Sequence, residues 1–137
     1  MNQFCDLHVH SNCSDGTLSP TELIAAAEKS GLAAIALTDH NTIDGLPAFL
    51  AAAENSSVQA VPGVEISADY NGTELHILAL FIQPEHYAAL EERNLAYLRR
   101  KEESNLALAE ALNKAGYVID YEKVKARTTG VPNRAHF

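Results

Sequence analysis

The sequence predicts an α/β fold built around a largely parallel sheet. Short apolar runs of strand length alternate with helix-length segments, which is the pattern of βαβ units. Strand, helix, strand, helix and strand follow one another, so the first three strands should run parallel. A hairpin turn at residues 70–73, with the sequence Tyr-Asn-Gly-Thr, then adds a fourth strand that returns along the third.

The elements can be assigned in order along the chain. The first strand lies around Leu7 and Val9 and enters a Ser/Gly-rich loop. The first helix begins with a capping box, with Ser19 as the N-cap and Glu22 reaching back to it, and it ends at Gly31. The other predicted elements are a strand at 32–37, a helix at 48–54, a strand at 58–67 interrupted by Pro62-Gly63, a strand at 74–82, two helices sharing an apolar stripe within 85–115, and a short helix at 120–125.

Size and composition limit the function classes. The chain has 137 residues, 47% hydrophobic and 20% charged, which suits one folded domain. A formal net charge of -8 argues against duplex nucleic acid as a partner, whereas bound divalent cations would keep an anionic substrate compatible. The sequence shows no secretory signal, so its two cysteines indicate a cytoplasmic protein with reduced thiols. No apolar run approaches the ~20 residues of a membrane span, so we expect no membrane association. The oligomeric state stays open.

The segment DLHVHSNCSDG at residues 6–16 has the character of a metal-binding motif. His8 and His10 are alternate residues of a strand, so their imidazoles point to the same face, roughly 7 Å apart along the chain. Rings placed in this way can converge on one cation at metal–nitrogen distances of roughly 2.0–2.1 Å. Asp15, at the exit of the strand, is well placed to hold a second ion.

Further candidate ligands lie at the same edge of the predicted sheet. Asp39 and His40 close the second strand, Glu65 lies on the third and His76 on the fourth. In parallel α/β folds, the carboxyl ends of the strands form the edge at which sites are assembled. We therefore expect these side chains to meet.

The register of the hairpin decides whether Glu65 and His76 can act together. If residues 71–72 form the turn, Tyr70 faces Thr73 and Glu65 faces Leu78. His76 is then the diagonal neighbour of Glu65, on the same face and roughly 7–8 Å away. A shift of one residue would put the two side chains on opposite faces.

Each of these residues alone has an ordinary structural explanation. We interpret Asp39 as a support for His40 rather than a ligand, with assistance to proton transfer as an alternative. Glu74 should face solvent, and His86 should be an ordinary helix residue. Taken together, six donors at one edge of a sheet need charge compensation, which metal ions supply. The six candidate ligands are His8, His10, Asp15, His40, Glu65 and His76.

Four motifs in this order resemble those of the PHP (polymerase and histidinol phosphatase) metallohydrolases: DLHVHSNCSDG, ALTDHNTIDG, PGVEIS and LHIL. They look most like the branch of small bacterial phosphoesterases that act on nucleotides and RNA ends. The resemblance implies a distorted seven-stranded β/α barrel, with residues 1–84 as its first half and residues 85–137 as a helical insertion. It also implies two or three divalent ions of Mn, Zn or Fe. The implied ligand sets are His8, His10 and Glu65 for one ion, Glu65 and His76 for a second, and Asp15 and His40 for a third.

The resemblance further implies hydrolysis of phosphomonoesters of nucleotides, such as a nucleoside 3′,5′-bisphosphate, or of the 5′ ends of short RNA. Arg134, in the segment PNRAH, resembles an arginine that faces the substrate phosphate, a task that suits its planar fork. The family's late ligands are a histidine and an Asp-x-His pair. Only His86 and His136 remain after His76 and no Asp-x-His occurs after residue 82, so we expect an N-terminal part of a longer protein with an incomplete site. Two alternatives stay open: a histidinol-phosphatase-like enzyme for small phosphoesters, and a metal-binding module without catalysis.

Overall fold

The structure is a computed structural model that describes residues 4–128, 131–132 and 136–137. The chain divides into two compact units, Met1–Glu91 and Glu92–Phe137. The strands are β1 (Cys5–Val9), β2 (Ala34–Leu37), β3 (Gln59–Tyr70) and β4 (Thr73–Leu80). The helices are α1 (Pro20–Lys29), α2 (Leu46–Ala53), α3 (Tyr87–Lys114) and α4 (Tyr121–Lys125), and a single 3-10 turn, Pro84–His86, precedes α3.

The first unit contains a four-stranded sheet in the order β1-β2-β3-β4. β1, β2 and β3 are parallel, with α1 and α2 as the connections, and β4 runs antiparallel to β3. This topology confirms the predicted α/β fold. It also brings the loops that follow β1 and β2 to the same edge of the sheet, beside the continuing β3–β4 hairpin.

The core of the first unit lies among α1, α2 and the sheet. The α1 capping box forms as predicted: Ser19 N donates to Glu22 Oε2 at 2.8 Å, and Glu22 N donates to Ser19 Oγ at 3.3 Å. Apolar side chains at helical spacing on α1 then meet buried residues of α2 and the strands. The buried members of this cluster include Leu23, Ile24, Ala27, Ile35, Leu37, Leu46, Phe49 and Val64.

The predicted interruption of the third strand at Pro62-Gly63 is wrong, because β3 is continuous and Pro62 pairs with Leu37 of β2. Gly63 has a steric role instead. A Cβ at this position would lie 2.9 Å from Thr38 Cγ2 and 3.0 Å from the Ala79 carbonyl oxygen. The missing side chain therefore lets three neighbouring strands pass closely at the edge that carries the candidate ligands.

The predicted hairpin register is confirmed: Tyr70 pairs with Thr73, and Glu65 pairs with Leu78. Asn71 and Gly72 both have positive φ, at 52° and 78°, as a two-residue hairpin of the primed type requires. Since side chains alternate along each strand, the register puts the side chains of Glu65, Ser67 and His76 on one face of the hairpin.

The second unit is helical. Sequence analysis predicted two helices within residues 85–115, but α3 is one helix of 28 residues. It contains no Gly or Pro, and Ala, Leu, Glu, Lys and Arg favour an uninterrupted helix. Asp120 caps α4, and Glu102 accepts hydrogen bonds from Tyr121 Oη at 2.6 Å and Lys125 Nζ at 2.9 Å.

Within the part of the chain that the structure describes, no helix has both the length and the apolar character needed to cross a membrane.

Candidate metal centre

Glu65 is the centre of a cluster of histidines. Its side chain is only 5% exposed, and Oε2 lies 3.1 Å from His8 Nε2, 3.1 Å from His10 Nε2 and 3.4 Å from His40 Nδ1. The other carboxylate oxygen, Oε1, lies 3.0 Å from His76 Nδ1. One nearly buried carboxylate therefore faces four imidazole rings.

The strands explain how distant residues meet at this point. His8 lies on β1 and His10 directly follows it, with ring centroids 5.0 Å apart. The backbone of His40, beyond the end of β2, forms an isolated parallel bridge with Glu65. His76 arrives from β4, where it pairs with the residue two positions after Glu65.

Asp15 forms a second group with His10 and His40, on the side of their rings that faces away from Glu65. Its Oδ1 lies 3.2 Å from His10 Nδ1, and its Oδ2 lies 3.5 Å from His40 Nε2. His10 and His40 thus turn one ring nitrogen to Glu65 and the other to Asp15. A neutral imidazole has one lone-pair nitrogen, so each of these rings can bind an ion on one side only.

Three overlapping groups of possible metal ligands result, and in each the donor atoms lie within 4.8 Å of one another. We call them the β1 group, the loop group and the β4 group. The β1 group is His8, His10 and Glu65, the loop group is His10, Asp15 and His40, and the β4 group is His40, Glu65 and His76.

The donor atoms are spaced as ligands of a common ion would be. Neighbouring ligands at about 2.0–2.1 Å from a tetrahedral or octahedral ion lie about 2.8–3.4 Å from each other, and the contacts to Glu65 measure 3.0–3.4 Å. His10 Nδ1 is also buried and has no hydrogen-bond partner. Asp15 Oδ1 lies 3.2 Å away, but not in the geometry of a hydrogen bond. Mixed imidazole and carboxylate donors suit Mn, Fe and Zn alike, so the residues fit divalent ions.

Burial and charge act on the protonation of the cluster. Burial is the largest influence on the pKa of the His40 imidazole and, together with the charges of His10 and His76, holds it below its ordinary value, although the carboxylates of Glu65 and Asp15 raise it. The pKa of Glu65 lies below its ordinary value. Burial raises it, but the hydrogen bond with His8 and the nearby charges of His40, His8 and His10 together lower it by more. The metal-free centre therefore favours neutral His40 beside an ionised Glu65, which is the protonation that cation binding requires.

The structure brings together all six candidate ligands that the sequence indicated, whereas Asp39 has other partners than expected. Both carboxylate oxygens of Asp39 accept hydrogen bonds from the loop after β1 rather than supporting the His40 ring. Asp39 Oδ1 accepts from Ser11 N at 2.7 Å and Ser14 Oγ at 2.6 Å, and Oδ2 accepts from Ser11 Oγ at 2.6 Å. Arg134 lies outside the described residues.

Three polar residues beside the cluster, Asn41, Ser67 and Glu74, are not among the candidate site residues predicted from the sequence. Asn41 has a φ of 51°, and its side chain exchanges two hydrogen bonds with Ser67. An asparagine directly after a candidate ligand is a weak signal, because Asn tolerates the left-handed conformation. Glu74 is exposed as expected, but its Oε1 also lies 3.4 Å from His76 Nε2. The spacing of Glu74 and His76 on one strand face could have indicated this contact.

Comparisons with known proteins agree with this geometry. A PHP domain family model matches residues 6–123 of the chain. A 5′-3′ exoribonuclease of Haemophilus influenzae is 37% identical across 100% of this chain and 50% of its own length. A 3′,5′-nucleoside bisphosphate phosphatase of Chromobacterium violaceum is 43% identical across 58% of this chain and 28% of its own length. The chain thus spans half or less of these two curated relatives.

A solved structure has the same fold. An amidohydrolase from Chromobacterium violaceum, crystallised with bound sulfate and no metal, matches with a TM-score of 0.79 and 31% identity. The match covers 96% of this chain and 47% of that chain. The arrangement of strands that brings the six candidate ligands together is therefore shared with a protein of known structure.

Proposed function

Because the chain belongs to the PHP domain family, we propose that it provides the metal centre of a phosphoesterase acting on nucleotides or on the 5′ ends of short RNA. The observation that carries this proposal is the nearly buried Glu65 carboxylate with four imidazole nitrogens at 3.0–3.4 Å. Such a set of borderline donors suits divalent cations.

The proposed ligand sets follow from the groups described above. His8, His10 and Glu65 would hold one ion, and Asp15 and His40 would hold another. Glu65 would bridge to a further ion bound by His76. Two or three ions are proposed, of Mn, Fe or Zn.

Bound ions of this kind lower the pKa of a coordinated water, orient the phosphate and neutralise charge as the P–O bond breaks. Ser11 and Ser14 donate hydroxyl hydrogen bonds that hold the loop to Asp39, and the nucleophile in this proposal is water. Exposure of the ligands sets the direction of approach. The side chain of Glu65 is 5% exposed at the base of the cluster, whereas those of His8 and His76 are 49% and 42% exposed. The side chain of Asp15 is 60% exposed, so a phosphate would have access both from the side of His8 and His76 and from that of Asp15.

Two findings support the substrate class. The relatives are named as an exoribonuclease and as a nucleoside bisphosphate phosphatase, so both act on nucleotide phosphate groups. The structural relative contains sulfate, which has the charge and tetrahedral shape of a phosphate group. A formal net charge of -8 disfavours a long duplex and leaves a short, locally bound phosphate as the proposed partner.

The test is phosphate release by the full-length protein in the presence of Mn²⁺. The substrates would be a nucleoside 3′,5′-bisphosphate, a 5′-phosphorylated oligoribonucleotide and histidinol phosphate. We expect release from the first two. Glu65→Gln should lower the rate by more than the about 10–100-fold that loss of a ligand's supporting partner costs. Glu102→Gln is the matched control, because Glu102 also accepts hydrogen bonds but lies in the helical unit.

Three results would contradict the proposal in different ways. Release from histidinol phosphate alone would favour a small-molecule phosphatase. Stoichiometric Mn²⁺ binding without release from any substrate would favour a metal-binding module. Absence of Mn²⁺ binding by the wild-type chain in equilibrium dialysis would contradict the proposal that the cluster is a metal centre.

A further inference from the structure

We infer that Asp39 is a positioning residue that sets, through two serines of the β1–α1 loop, the place of the Asp15 carboxylate. Asp15 is the carboxylate of the loop group defined above, so Asp39 would control ion binding there without touching an ion. The inference rests on the proposed function, because the place of Asp15 matters only if the centre holds metal.

Asp39 is a buried anchor for this loop. The residue is 1% exposed, and its carboxylate accepts three hydrogen bonds at 2.6–2.7 Å from Ser11 and Ser14. A buried carboxylate needs such donors, because leaving its oxygens unpaired is costly. Short bonds from neutral donors to an ionised acceptor are also stronger than bonds between neutral groups. The loop is therefore tied firmly to the end of β2.

Ser11 connects Asp39 to the rest of the loop through hydrogen bonds of its own. Its carbonyl oxygen accepts from Ser14 N at 3.1 Å and from Gly16 N at 2.9 Å. Its hydroxyl oxygen accepts from Cys13 N at 3.1 Å while donating to Asp39. Asp15 lies between two residues whose amides are held in this way.

The other candidate ligands do not depend on the loop to the same degree. His8, Glu65 and His76 lie on strands, where the hydrogen-bonded ladder sets their positions. Asp15 lies within a loop, and its side chain is 60% exposed, so packing does little to fix it. Loss of the Asp39 anchorage should therefore affect the loop group more than the β1 group, which shares His10 with it but has His8 and Glu65 on strands.

The test is Mn²⁺ binding to the full chain with Ser14→Ala, measured by equilibrium dialysis with metal analysis. One class of site should weaken by about 10–100-fold, the usual effect of losing an outer partner of a ligand, while the remaining sites keep their affinity. Ser14→Thr retains the hydroxyl and should restore binding. The matched control is Ser56→Ala, which removes a 2.7 Å serine–carboxylate bond to Glu28 away from the cluster and should leave every site unchanged.

A second variant separates positioning from folding. Asp39→Asn keeps the shape of the side chain and removes its charge, so it should weaken the same class of site while the thermal unfolding transition stays cooperative. If Ser14→Ala and Asp39→Asn both bind Mn²⁺ as wild type does, Asp39 does not position Asp15. Equal weakening of all sites would also overturn the inference, because a general structural role would produce it. If the wild-type chain binds no Mn²⁺, the proposed function fails and the inference fails with it.

Discussion

Asn41 and Ser67 are joined by two reciprocal hydrogen bonds: Asn41 Nδ2 donates to Ser67 Oγ at 2.8 Å, and Ser67 N donates to Asn41 Oδ1 at 3.0 Å. Asn41 N also donates to the Glu65 carbonyl at 2.9 Å. The residue that follows His40 is thereby tied to β3 next to Glu65. These bonds hold two candidate ligands from different strands in one register.

Replacement of Asn41 by alanine should destabilise the chain by about 2–4 kcal/mol, because buried hydrogen bonds are lost and an ordinary side chain must keep a φ of 51°. Asn41→Gly should cost about 1 kcal/mol less, since glycine adopts positive φ without steric strain. Denaturant unfolding of the metal-free protein measures both values. Wild-type stability in Asn41→Ala would show that the Asn41–Ser67 contact contributes nothing.

Much of the site could be predicted because it follows from two periodicities. Alternation along β1 sets His8 and His10 on one face, and the Asn-Gly turn at 71–72 fixes the register that brings His76 to Glu65. The parallel topology then carries His40 to the same edge. These relations depend on strand geometry, which is visible in the order of residue types.

The partners of Asp39 could not be predicted in the same way. Which amide and hydroxyl groups reach its carboxylate depends on the path of the β1–α1 loop, and no periodic pattern encodes that path. Gly63 illustrates a second limit, because its role arises from contacts with two other strands rather than from a turn of its own. Local sequence signals do not report such close approaches.

Gly16→Ala should disrupt the β1–α1 loop. A Cβ at Gly16 would overlap the His10 carbonyl group and lie 2.9 Å from the Ser11 carbonyl carbon, so backbone would have to move. We expect weaker Mn²⁺ binding by the loop group and a loss of stability greater than about 1–2 kcal/mol. Gly31→Ala is the control, because Gly31 has a φ of 71° but no atom within 4 Å of its Cβ position. It should show the cost of an alanine at positive φ, which does not arise at Gly16, and unchanged Mn²⁺ binding.

The metal-free protein should lose stability on acidification in two stages. Burial holds the pKa of His40 below its ordinary value of 6.5, so the unfolded chain takes up this proton first as the pH falls below 6.5. The pKa of Glu65 lies below its ordinary value of 4.5, so its contribution is present above that pH and is lost as the pH falls through the folded pKa. Unfolding free energies between pH 8 and the acid limit of folding, on the order of pH 3–4 for many domains, would test both stages.

The pH experiment has a direct control at each stage. Glu65→Gln should reduce the lower stage, to which Glu22, Glu28 and Glu102 also contribute because their pKa values are lowered as well. It should keep the upper stage, because His40 still titrates. His40→Asn should do the reverse. A wild-type stability that is flat between pH 7 and pH 5 would contradict the effect of burial on His40.

Mn²⁺ should stabilise the folded chain, because ligands that are assembled only in the native state bind ions there in preference to the unfolded chain. At a free concentration of 100 times the dissociation constant, the expected gain is about 2.7 kcal/mol, or roughly 5–10 °C in the unfolding midpoint. A chelator should reverse it. His8→Ala removes a nitrogen that lies 3.1 Å from Glu65 and should abolish most of the shift, whereas His86→Ala removes an exposed imidazole outside the cluster and should keep it. An equal Mn²⁺ shift in His8→Ala and His86→Ala would mean that the ion binds somewhere other than the Glu65 cluster.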